Sequence, residues 1–197
     1  MMRPEREFNE KQGRILLKLA RQTICRKLGL PTDKDEDRAL TRSLQLDDMF
    51  CRRCGVFVTL QINSRLRGCI GSLTGTETVQ EGVKRNAVCA AFNDSRFPPL
   101  TADECDRITI EISILTEPQP LTYKDANDLL TKLRPQVDGV IIRKNVYGAT
   151  FLPQVWSQLP HPEDFLSRLC MKAGLPIDIW RNEKLSVETY QVQHFHE

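Results

Sequence analysis

The chain has 197 residues, of which 40% are hydrophobic and 27% charged, and its formal net charge is +2. That profile is of a globular protein and excludes a disordered one. So small a charge, with acids and bases interleaved, argues against the basic stripe of a nucleic-acid surface, and no run reaches the roughly 18 apolar residues of a membrane span.

The length suits one large domain, or two small parts sharing one core. Met1 to Lys11 is charged and lacks the apolar segment of an export signal. The seven cysteines are an odd, scattered set. Both features lead to the expectation of a cytoplasmic protein with reduced thiols.

Glu10 to Leu28 reads as an amphipathic helix with Leu16, Leu17, Leu19, Ala20 and Ile24 near one face, stopped by Gly29. Thr32 to Asp48 is polar and charged and reads as a loop with room for a short helix. Gly55 to Ile62 has the β-branched and aromatic content of a strand. Asn63-Ser64 is its turn, and Leu66 to Leu73 its hairpin partner. Thr78 and Glu81 form a capping-box pattern that opens a helix running to about Phe92. Pro98 and Pro99 keep Ser95 to Leu100 from being helical, and Thr101 with Glu104 marks a second, short capped turn. Ile108 to Leu115 alternates four isoleucines with Thr109, Glu111 and Ser113, the pattern of a half-buried strand.

The second half echoes the first. Gly139-Val-Ile-Ile repeats the strand opening of Gly55-Val-Phe-Val, and a turn at Lys144-Asn145 leads to Gly148 to Leu152. A helix from Pro162 to about Ala173 follows, closed by Gly174, with Pro162 at its first position and Glu163 and Asp164 at its positive end. Val187 to Phe195 reads as one final strand. The expected fold is α+β: duplicated hairpin-plus-helix units forming a mixed, largely antiparallel sheet flanked by helices.

The run Leu66-Arg67-Gly68-Cys69-Ile70-Gly71 stands out chemically. Glycines in a strand permit close approach of a ligand or another backbone, and a nearby arginine favours the thiolate form of a cysteine. A period of two places Leu66, Gly68 and Ile70 on the core face and Arg67, Cys69 and Gly71 on the other. Arg67 and Cys69 would then stand about 7 Å apart at Cα. An inert cysteine packed in a tight strand is the alternative.

Asn93 to Pro99 is the second constellation. Asp94 and Arg96 either pair with each other in a structural turn, or Arg96 is an anion anchor on a proline-stiffened loop. Glu111 is either solvated or a general base. Cys51 and Cys54 have the spacing of half a zinc site or a redox pair, but no second ligand pair exists, so no metal is assigned. His194 and His196 fall in the tail. No dinucleotide or phosphate-loop fingerprint appears, so no cofactor is assigned.

LRGCIGSL at 66–73, GVFVTL at 55–60, DSRFPPL at 94–100, EISIL at 111–115 and FLPQVW at 151–156 together resemble the AMMECR-type family. Its bacterial and archaeal members are called AmmeMemoRadiSam system protein A. The resemblance spans nearly the whole chain, as a single domain with a larger and a smaller part. It implies a two-part α+β fold with internal duplication, and association with a Memo-like protein and a radical-SAM protein. It also implies a site at Leu66 to Gly71, joined by the turn carrying Arg96 and Phe97.

The leading expectation is an enzyme or enzyme subunit acting on a small-molecule substrate. Cys69 serves as nucleophile or acid/base and Glu111 as proton acceptor. Arg67 and Arg96 anchor anions, with Gly68, Gly71, Asp94 and Phe97 lining the site. The rival is a non-catalytic interaction module or regulatory protein.

Overall fold

The structure is a computed structural model that describes residues 7–197. Met1 to Arg6 of the charged stretch read above therefore lie outside the described residues. In chain order the elements are α1 (Glu10–Lys27), α2 (Lys34–Gln45), β1 (Val56–Ile62), β2 (Arg65–Ser72), α3 (Val79–Phe92), α4 (Ala102–Cys105) and β3 (Ile108–Leu115). They continue with β4 (Gln119–Pro120), α5 (Ala126–Lys132), β5 (Gly139–Lys144), β6 (Tyr147–Phe151), α6 (Pro162–Lys172), α7 (Ile179–Asn182), β7 (Ser186–Tyr190) and β8 (Val192–His196).

Two compact units result, one running to Leu115 and including Gln193–Glu197, the other Thr116–Val192. Each has a four-stranded sheet, in the orders β2-β1-β3-β8 and β4-β7-β5-β6. The expected duplication is visible in the pairing. In the first sheet, hairpin β1–β2 precedes α3, and β3 returns antiparallel to β1. In the second, hairpin β5–β6 precedes α6, and β7 returns antiparallel to β5. Both repeats also lay an aromatic ring over a cross-strand glycine, Phe57 over Gly71 and Tyr190 over Gly139.

Each unit buries its own apolar cluster. In the first, Val56, Val58 and Leu60 of β1 join the four alternating isoleucines of β3 beneath α1 and α3. The Thr78–Glu81 capping box forms as expected, and Asn63 and Ser64, both at positive φ, make a turn matched to the strand twist. In the second unit, α6 packs on β6 and α7. There Trp156 stacks on Phe165 at 3.7 Å and donates its indole N–H to the Asp138 carbonyl at 2.7 Å.

Two expected elements are corrected. The helix allowed for within residues 32–48 is longer than expected, at 12 residues, and takes up most of the segment. Only Leu40 and Leu44, one turn apart, are buried on it, so few apolar residues mark it. The helix rests instead on the Asp33 cap, which accepts from the amides of Asp35 and Glu36, and on three acids in the first turn. The final strand divides at Gln191 into β7 of the second sheet and β8 of the first. Gln191 leaves the ladder because its amide donates to Thr116 Oγ1 and its side chain to Asp138.

Candidate functional site

The strand carrying Cys69 is not regular. Opposite β1, Leu60 faces Gly68 but Gln61 faces Leu66, so Arg67 is the extra residue of a β-bulge. The bulge overturns the expected division of faces at this end of the strand. Leu66 is 44% exposed and Arg67 only 8%. Arg67 turns inward and forms a two-pronged ion pair with Glu104 of α4, its Nε to Oε1 and Nη2 to Oε2 both at 2.9 Å. Its Nη1 is buried and has no hydrogen-bond partner among the described residues.

The arginine beside Glu104 holds that carboxyl at about 2, well below the usual carboxylate range. A depressed carboxylate contributes stability that is complete above its unfolded value of 4.5 and is lost as pH falls toward 2. The urea midpoint should therefore drop between pH 4.5 and 2. Glu104→Gln should flatten that drop in parallel titrations, and an unchanged profile would contradict the assignment.

The Asn93–Pro99 loop closes on β2 from the other side. Asp94 Oδ2 accepts from the Cys69 amide at 2.9 Å, and Arg96 Nη2 donates to the Cys69 carbonyl at 3.1 Å. Asp94 and Arg96 are themselves paired through Nε at 2.9 Å and Nη2 at 2.7 Å. β2 is an edge strand, so this carboxylate–guanidinium pair supplies the donor and acceptor that a neighbouring strand would offer. Asp94 is buried and its carboxyl lies far below the usual range because of Arg96. The pairing of the structural-turn reading is thus present, and the Arg96 side chain remains 54% exposed. The Phe97 ring lies 6.0 Å from the Arg67 guanidinium and 5.7 Å from that of Arg96.

Packing accounts for the two glycines. A Cβ at Gly68 would stand 2.1 Å from the Ala90 carbonyl oxygen, because α3 lies directly on the strand. A Cβ at Gly71 would collide with the Phe57 ring at 2.2 Å.

The outer face of the first sheet assembles the remaining polar groups. Cross-strand register places Cys69, Thr59 and Glu111 in one row. Thr59 Oγ1 donates to Cys69 Sγ at 3.3 Å. Glu111 Oε1 lies 3.4 Å from His194 Nδ1 of β8, and the Ser113 hydroxyl is 3.1 Å from the same nitrogen. His194 holds the Glu111 carboxyl below its ordinary value. Adjacent strands are about 4.8 Å apart, so Cys69 and Glu111 are separated by roughly 10 Å across β1.

The structure thus brings Cys69, Asp94 and Arg96 into direct contact and places Glu111 on the same face as Cys69. It sends Arg67 to Glu104 instead. Sequence reading missed Thr59, Glu104 and His194. The clean alternation of β3 was a signal that whatever pairs beside it shares the Glu111 face. Glu104 was recognised only as a helix cap.

The chain combines a two-unit α+β fold with a glycine-flanked cysteine clamped on an edge strand. The chain belongs to the AMMECR1 family, whose sequence profile matches residues 17–195. Among its relatives is a protein of Methanothermobacter thermautotrophicus, 37% identical over 193 residues and covering 94% of each chain. Another is protein PH0010 of Pyrococcus horikoshii, 32% identical over 97% of this chain and 92% of its own. The crystal structure of uncharacterized protein PH0010 matches with a TM-score of 0.79 at 31% identity, covering 96% of this chain and 93% of that one. No helix among the described residues is long and apolar enough to cross a membrane.

Proposed function

We propose that the protein is an enzyme or enzyme subunit whose site is the outer face of the first sheet. The observation that carries this reading is the half-buried row of Cys69, Thr59 and Glu111, with the more exposed His194 reaching Glu111 at 3.4 Å. Cys69 has its main chain held on both sides and its sulfur bonded to Thr59, the restraint a positioned nucleophile needs. The Glu111 carboxylate lies 3.4 Å from His194 Nδ1. It therefore orients the imidazole, and His194 takes over the proton-acceptor role expected of Glu111. A small-molecule substrate lying across β1 meets the thiol at one end and the imidazole at the other. Arg96, half exposed beside Cys69, supplies the anion contact.

The test is alkylation of the intact protein with iodoacetamide at neutral pH, mapped by mass spectrometry. Cys69 is expected to react faster than the exposed Cys51; a slower Cys69 removes the nucleophile role.

A non-catalytic interaction module is the second reading. It is favoured by the engagement of Arg67 with Glu104 and by the roughly 10 Å between the thiol and the nearest acid–base pair. It calls for an unreactive Cys69 and for partner binding that survives Cys69→Ser. On either reading a Memo-like protein and a radical-SAM protein are the partners we propose, on the family resemblance alone.

A further inference from the structure

We infer that the second unit carries a docking groove for an extended, acidic peptide segment, received by strand addition at β6. Three observations on this unit converge.

The first is an open backbone edge. β6 ends the order β4-β7-β5-β6 and pairs only with β5 in that sheet. The two-residue turn at Asn145-Val146 makes Lys144 and Tyr147 a hydrogen-bonded pair. Pairs in an antiparallel ladder then alternate, so Gly148 and Thr150, opposite Arg143 and Ile141, direct their N–H and C=O groups away from β5. The Thr150 carbonyl also points outward but already accepts from Lys172 Nζ at 2.9 Å, so the Gly148 N–H and C=O and the Thr150 N–H are the groups left for an added strand. A row of outward main-chain groups is the template that strand-adding peptides use.

The second is a groove of about 590 Å³ beside the end of that edge. Phe151, Val155, Leu159 and Met171 supply its apolar walls, and Met171 is 51% exposed. An added strand presents alternate side chains to one side, which gives such a groove something to hold.

The third is charge. Arg168 and Lys172 stand on the α6 face that lines the groove, and no carboxylate lines it. Arg168 makes no ion pair among the described residues, and the Lys172 ammonium lies over the Phe151 ring at 5.0 Å. Two cations beside an apolar groove select a segment that alternates apolar and acidic residues.

The experiment uses the full chain and two fluorescein-labelled octapeptides, one alternating aspartate and valine, the other lysine and valine. Fluorescence anisotropy should show binding of the acidic peptide and at least tenfold weaker binding of the basic one. Gly148→Pro removes an outward N–H at an edge position, where proline is tolerated, and should weaken binding at least tenfold. Arg168→Glu with Lys172→Glu, at exposed helix positions, should reverse the preference between the peptides. Failure of the acidic peptide to bind, or its undiminished binding to either variant, overturns the inference. So does binding to anionic phosphatidylglycerol vesicles in place of the peptide.

Discussion

Gly68→Ala is expected to lower stability by about 3 kcal/mol, the upper end of ordinary overpacking. For a chain of this length that is roughly 6–12 °C in the thermal midpoint. The added Cβ would stand 2.1 Å from the Ala90 carbonyl oxygen and 3.0 Å from its carbon. Both are backbone atoms of α3, so no side-chain rotation relieves the contact. Either the helix shifts or β2 moves off β1. Calorimetry of the variant checks this, and a midpoint within 2 °C of the parent would show that α3 yields freely. The comparison with Gly148→Ala is informative, since there the nearest atom is the Ile142 carbonyl oxygen at 3.2 Å and the residue is exposed.

Glu104→Ala should cost about 3–4 kcal/mol, because it leaves the Arg67 guanidinium buried without its carboxylate. The Arg67 side chain is only 10% exposed, so solvent offers little compensation, and its Nη1 already has no partner. Arg67→Met combined with Glu104→Leu removes both charges and should recover most of the loss, since a buried pair is often no better than apolar residues of similar size. Urea unfolding of the three variants gives the cycle. A double variant as unstable as Glu104→Ala would mean that the bulge itself depends on the ion pair.

The elements with local signals were legible in the sequence. Thr78 and Glu81 announced the start of α3, and the isoleucine alternation defined β3 together with its buried face. The repeated hairpin openings at Gly55 and Gly139 exposed the duplication. What escaped was set by contacts between distant residues. A period of two cannot register one extra residue, so the bulge at Arg67 moved that side chain inward and Leu66 outward. The partner of Arg67 lies 37 positions away, on a four-residue helix. Within the candidate site, the hexapeptide and the proline turn were both visible, but only the fold shows that Asp94 and Arg96 grip the main chain of Cys69. His194 looked like part of a tail because the break at Gln191, which assigns β8 to the first sheet, is made by hydrogen bonds to Thr116 and Asp138.

The grip on Cys69 also bears on self-association. Unsatisfied edge strands recruit further copies of themselves, and many β-proteins aggregate by that route. On β2 the amide and carbonyl of Cys69 are occupied by one side-chain pair, so that a foreign strand finds no vacancy at the middle of the edge. Proteins often protect such edges with a bulge or a charge, and β2 has both, the bulge at Arg67 and the charged pair two residues further along. The Asp94–Arg96 pair thereby contributes to colloidal solubility as well as to the architecture of the site.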